Sequence, residues 1–275
     1  MKTILALIDV DAKATEILDT AFRFAKQNDA KLIVYHHLFK EESISIRPSE
    51  FAINSDTSIS KSGQTYQETY NLVPEYRFTS GKFKHQILDC VKKENVDLIV
   101  MGSNGVSNAK ERILGSHAEK VLESAECSVL ILKDLRLNHP LKEVVFASSF
   151  NKKDREIFTY FLEFLKLPSD CLIHLLMVDT YSFFNQPSIL VQESLEEFEE
   201  LAKPYRTESH FFHGISIEDG ILKFMGQMKP DLLVMSNKYS RILRTSLSGS
   251  KMIATIHQNE HPFLNIDYDS SKKEA

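Results

Sequence analysis

The chain has 275 residues, 43% of them apolar and 26% charged, with a net charge of −5 and a pI near 6.1. This composition excludes a disordered or fibrous chain and leaves room for two ordinary hydrophobic cores. The mild acidity gives no global attraction to nucleic acid or to an anionic membrane, so neither is an expected partner. The opening MKTILALIDVD is cut by Asp9 and Asp11 before its apolar run reaches signal-peptide length. No run approaches the ~20 residues of a membrane span. Three scattered cysteines, Cys90, Cys127 and Cys171, sit in apolar stretches and read as buried free thiols of a reducing compartment, hence a cytoplasmic protein.

In chain order, residues 3–8 form an apolar run of strand length that ends at Asp9, a carboxylate at a strand's C-terminal end. Ala14, Ile17, Leu18, Ala21 and Ala25 then mark one helical face. Residues 32–38 predict a second strand on which His36 and His37 point to opposite faces and cannot readily grip one metal together. From Lys40 to about Leu72 the pattern weakens into a Ser/Thr-rich stretch, expected as a loop with at most a short helix beside the site. Residues 76–78 make a brief strand closed by Gly81, and Phe83, Ile87, Leu88 and Val91 mark the next helix.

The chemistry-bearing segment follows at residues 97–133. A strand at 98–101 ends at Gly102; Gly105 follows, then nine residues, then Gly115 and Ser116. Ala118, Val121, Leu122 and Ala125 give the helix after them, and residues 127–132 a closing strand. Ser116 and Glu119 have the spacing of a capping box. Glycines at a strand end admit close backbone approach, and a helix N-terminus presents N–H groups and the positive end of its dipole, a layout suited to phosphate. The order β-α-β-loop-β-α-β-α-β calls for a parallel sheet with helices on both faces.

At these residues the chain resembles the universal stress protein family, whose nucleotide-binding members carry G-2x-G-9x-G-S/T. Gly102, Gly105, Gly115 and Ser116 match that spacing, and GSHAEKVLESAECSVLIL is similar to the family's usual close. The resemblance implies a doubly wound, Rossmann-like α/β domain with a five-stranded parallel sheet of strand order 3-2-1-4-5. It also implies ATP or a related adenine nucleotide as ligand, with or without Mg2+. Asp9 and backbone near Leu38 would face adenine; Met101, Gly102, Asn104 and Gly105 would follow the ribose and first phosphate. Gly115, Ser116, His117 and Ala118 would hold the outer phosphates. His117 replaces a usually small or apolar residue and Asn104 a common histidine. Lys110 and Arg112 are either further phosphate contacts or a solvated rim.

The pattern then repeats. Asp97 and its strand return at Asp231, 134 positions on, as Gly115-Ser116 returns at Gly249-Ser250. Gly81 pairs with Gly214. A proline-containing polar stretch near residues 135–141 separates the copies, giving expected domains at 1–137 and 138–275. In the second copy Ser236 stands for Gly102, Tyr239 for Gly105, Ser149 for Asp9 and Ile253 for the capping-box glutamate. It reads as a degenerate domain without nucleotide. Arg241 and Arg244 read as surface charge.

No catalytic set stands out: there is no P-loop, kinase signature, G-x-S-x-G or carboxylate pair. The loop after the first strand reads DVDAK, unlike the S-G-G-x-D-S-like loop of related nucleotide hydrolases. Metal sites built from His210 and His213, or from His257 and His261, lack completing ligands, and His210 and His213 on a strand face apart. The expectation is therefore a stress-responsive regulatory protein that binds adenine nucleotide in its first half and reports occupancy to a protein partner, with no catalytic residues and no protein-held metal. The competing reading is a nucleotide-free dimeric interaction module; slow ATP hydrolysis is a third. The closing strands, apolar on both faces at Val129–Leu132 and Phe263–Leu264, would pair with each other as an intramolecular pseudo-dimer, or across a homodimer.

Overall fold

Strand β1 (Thr3–Ile8) is buried at all six positions in the computed structural model, which describes residues 1–8, 14–38, 58–103, 115–133, 137, 139–180, 189–236 and 258–268. A strand apolar on both faces belongs in the middle of a parallel sheet covered on both sides. The chain divides into two units, Met1–Leu132 and Lys133–Ala275.

In the first unit, α1 (Ala14–Asn28) buries Ile17, Leu18, Ala21, Phe22 and Ala25, and leads to β2 (Lys31–Leu38). After α2 (Ser58–Tyr70) come β3 (Glu75–Ser80), α3 (Phe83–Glu94), β4 (Leu98–Gly102), α4 (Ser116–Ser124) and β5 (Ser128–Leu132). The sheet runs 3-2-1-4-5 with parallel pairing throughout. Helix α2 is longer than its polar sequence suggests. Tyrosines attach it: Tyr66 and Tyr70 lie 5.9 and 6.1 Å from the Phe22 ring, and the Tyr70 hydroxyl donates to Asp19 at 2.9 Å. Tertiary packing supplies what the local pattern lacks.

The second unit repeats the plan with β6 (Glu143–Ala147), α5 (Asp154–Leu165), β7 (Leu172–Asp179), α6 (Ile189–Leu201) and β8 (Arg206–His213). It continues through α7 (Ile217–Met228), β9 (Leu232–Ser236) and β10 (Phe263–Ile266), in sheet order 8-7-6-9-10, again parallel. Its core is aromatic: Phe146, Phe150, Phe158, Phe161 and Phe198 are all buried and pack ring on ring. Cys90, Cys127 and Cys171 are buried and free, and burial pushes the Cys171 thiol up to about 12.

The repeated aspartate has a physical role. Asp97 Oδ2 accepts the backbone N–H groups of Lys2 and Thr3 at 2.5 and 2.9 Å, fastening the start of β1 to that of β4. Asp231 does the same for Lys142 and Glu143 at 2.7 and 3.0 Å. Asp97→Ala and Asp231→Ala leave two amides each without this acceptor, and each is expected to cost about 1–3 kcal/mol. Denaturant titration of each variant checks this; a loss well under 1 kcal/mol in both would refute the clamp.

The glycine pair is also kept for physical reasons, though different ones. Gly81 adopts φ +105°, where side chains are strained. A Cβ on Gly214 would meet Ser216 O at 2.4 Å and Gly220 N at 2.8 Å.

Candidate functional site

The first unit's sheet changes direction of winding between β1 and β4. Leu7 pairs with Met101 there, while β2 lies on the other side of β1 with Ile8 opposite His36. Ligands of doubly wound sheets sit outside the C-terminal strand ends at such a reversal. Met101 is buried, whereas Gly102 is half-buried.

Beyond Gly102 the chain is anchored. Ser103, 3% exposed, donates its N–H to Leu132 O at 3.0 Å, and its own carbonyl accepts the Gly115 N–H at 2.6 Å. The two ends of the 104–114 connection are thus joined, and the start of α4 is brought beside the end of β4. Gly115 is the N-cap, at φ −63° and ψ 148°. Ser116 follows it as the first helical residue and is exposed, His117 is half-buried, and Ala118 is buried against the body of the unit.

This corrects the capping-box reading. The N-cap lies one residue before Ser116 and carries no side chain, so Ser116 does not cap the helix in the way its spacing with Glu119 suggests; the Glu119 N–H instead makes the first helical bond, to Gly115 O at 3.1 Å. The dipole argument survives, because the early N–H groups of a helix lack intrahelical acceptors whichever residue caps it.

Of the other expected contacts, Leu38 ends β2 with its backbone opposite Ser80. Asp9, Asn104 and Gly105 lie outside the described residues, as do Lys110 and Arg112. In the second copy Tyr239, Arg241, Arg244, Gly249, Ser250, Ile253 and His257 also lie outside them.

His36 and His37 do face opposite ways. The His36 Nδ1–H donates to Ile8 O at 2.9 Å, at the end of β1. His37 meets the Phe83 ring edge-on at 5.3 Å, and Phe83 in turn packs on His117 at 4.1 Å. His37 Nδ1 lies 3.4 Å from Thr79 Oγ1, whose hydroxyl donates to Tyr35 Oη at 2.7 Å. Burial pushes the Tyr35 phenol up, keeping it a neutral acceptor. Phe83 and Ser103 therefore join the candidate site, although the motif did not single them out. Ser103 stands between the two motif glycines, and Phe83 two residues after Gly81, which were the available signals.

In the second unit the corresponding end of the first strand is occupied by side chains that bond one another. Ser148 and Ser149 both donate to Asp154 Oδ2, at 2.8 and 2.9 Å, and the Asn151 N–H reaches the same oxygen at 3.2 Å. Phe150, at φ +52°, turns its ring inward to Phe146 and Phe198.

A family model described as the universal stress protein family matches residues 1–133. Universal stress protein A homolog 1 of Coxiella burnetii is 32% identical over 138 residues, covering 47% of this chain and 94% of that protein. Universal stress protein YxiE of Bacillus subtilis is 29% identical over 144 residues, covering 47% and 97%. A solved universal stress protein from Archaeoglobus fulgidus covers 96% of this chain and 97% of its own at TM-score 0.68 and 20% identity, a likeness of fold across both halves. The glycine-punctuated β4–α4 connection, the 3-2-1-4-5 sheet and a relative matched over nearly its whole length agree, and the chain belongs to the universal stress protein family.

Proposed function

We propose that the first unit binds one adenine nucleotide, ATP or a close relative, in the crevice outside β1 and β4. The observation that carries this reading is the Gly115 N–H bond to Ser103 O, which sets the N-terminus of α4 at the sheet's winding reversal. Ser116, His117 and Ala118 hold the outer phosphates, chiefly through backbone N–H groups and the Ser116 hydroxyl, while Gly115, whose own N–H is taken by Ser103 O, leaves the space beside them free of a side chain. Met101, Gly102, Asn104 and Gly105 line the ribose and first phosphate, and Asp9 and the Leu38 backbone face the base. Mg2+, where present, travels with the phosphates.

The second unit is a structural partner without nucleotide. The Ser148/Ser149/Asp154 network supports this, since it ties up the first-strand end on which the first unit depends. The protein works as a cytoplasmic regulator in the stress response, occupancy biasing the 40–72 region and the surface a protein partner reads. As a sensor whose sequence carries no P-loop, kinase signature or carboxylate pair, it hydrolyses ATP far below the ~10 s⁻¹ usual for enzymes.

Calorimetric titration with ATP, and mass spectrometry of ligand released on denaturation, test this. One site per chain is the expected result. Two equivalent sites, no site, or phosphate release at an ordinary enzymatic rate would overturn it.

A further inference from the structure

The second unit holds a cluster that the nucleotide reading does not use. His174 is the third residue of β7 and Glu208 the third of β8, paired in register, with His210 two residues on and so on the same face. His174 Nδ1 lies 2.9 Å from His210 Nε2, and Glu208 Oε2 lies 3.8 and 3.9 Å from those two nitrogens. A point roughly 2.1 Å from all three atoms follows from these separations, within the ~2.0–2.2 Å of zinc bonds to imidazole nitrogen and carboxylate oxygen.

The surroundings of His174 bear on its role. His174 is fully buried, and its Nε2, on the side away from His210 and Glu208, has no hydrogen-bond partner within bonding geometry. That atom faces the carboxylate of Glu143, on the neighbouring strand β6, at 3.5 Å. On closing to hydrogen-bond distance, that carboxylate would take the N–H of the rear nitrogen and leave the front nitrogen as a lone-pair donor, the arrangement found behind metal-bound histidines. The Phe224 ring of α7 covers both imidazoles, 5.9 Å from His174 and 4.7 Å from His210, and shields them from water on that side.

We propose that His174 Nδ1, His210 Nε2 and Glu208 bind a divalent zinc-like cation, with Glu143 as the carboxylate behind His174. Two imidazoles and one carboxylate suit a borderline-soft ion such as Zn2+ rather than Mg2+ or Ca2+, which prefer oxygen. Three protein ligands leave a fourth position, on the side of the more exposed Glu208, for water. The ion would clamp β8 to β7. The sequence hid this site because His174 and His210 meet only through strand register. The paired His210 and Glu208, alternate residues on one strand face, were the visible half of it.

The test uses the full chain, stripped with chelator and titrated with ZnCl2 at pH 7.5, with CoCl2 as the spectroscopic probe. One Zn2+ per chain, a visible band of four-coordinate Co2+, and at least about tenfold weaker binding in both His210→Gln and Glu208→Gln are expected. Glu143→Gln weakens binding by roughly 10–100-fold without removing a ligand. Circular dichroism confirms that these partly exposed variants fold, which avoids dependence on the fully buried His174. Absence of Zn2+ binding, or binding unchanged in His210→Gln and Glu208→Gln, would leave a hydrogen-bonded histidine pair only and overturn the proposal.

Discussion

Gly115→Val is expected to abolish adenine-nucleotide binding, at least about a 100-fold loss, while costing only about 1 kcal/mol of stability. The residue caps α4 at φ −63° and ψ 148°, a backbone conformation open to any side chain, so the substitution strains no turn. Valine is a poorer N-cap than glycine, which sets a modest cost of about 1 kcal/mol. What valine adds is a branched side chain at the helix N-terminus, in the space that the proposed outer phosphates require. Gly115→Ala, with a single methyl, should give an intermediate loss. Calorimetric titration alongside thermal unfolding separates the effects: retained affinity in Gly115→Val would remove the phosphate site from this helix end. A stability loss of several kcal/mol would show instead that the glycine serves packing.

Phe158→Ala should destabilise the second unit by about 3–5 kcal/mol, the usual range for emptying a fully buried aromatic site. Phe158 has no exposed surface, and its ring meets Phe146 at 5.0 Å, Phe198 at 5.3 Å and Phe161 at 5.7 Å. Edge and tilted contacts of this kind add to the area term, so the cavity cannot close by small shifts of one neighbour. Phe158→Leu keeps most of the volume and should cost far less. Hydrogen exchange of the β6 and β7 amides reads the effect where it arises. A loss below about 1 kcal/mol would show the aromatic cluster to be loosely packed.

The architecture was legible because its signals are local and repeated. Residues 3–8 and 98–101 are apolar on both faces, as central parallel strands must be, and Ala14 through Ala25 keep a helical period. The offset between Asp97 and Asp231 exposed the duplication, although its cause, a carboxylate accepting two distant amides, emerges only from coordinates. Helix α2 was obscured because its anchoring is tertiary, through Tyr66 and Tyr70 on Phe22. At the site, glycine spacing pointed to the β4–α4 connection, while the Ser116–Glu119 spacing misassigned the cap by one residue, since Ser at the first helical position and Ser at the N-cap look alike in sequence. The His37–Phe83–His117 stack joins three elements and has no sequence signature at all. The same reason concealed the His174–His210 contact, whose histidines were weighed only against sequence neighbours.

The aspartate clamp also bears on how the chain is made. Lys2 and Thr3 receive their acceptor from a residue 95 and 94 positions later, and Lys142 and Glu143 theirs from 89 and 88 positions later. At ribosomal rates of about 5–20 residues per second, β1 therefore waits roughly 5–20 s before Asp97 is even synthesised. Through that interval the nascent chain carries its most apolar strand with the β4 side of it unpaired, because Ile4 through Leu7 also take their partners from Leu98–Met101. A translational pause placed before codon 97 would prolong that exposure; one placed after β5 would let the first unit close before the second begins to emerge.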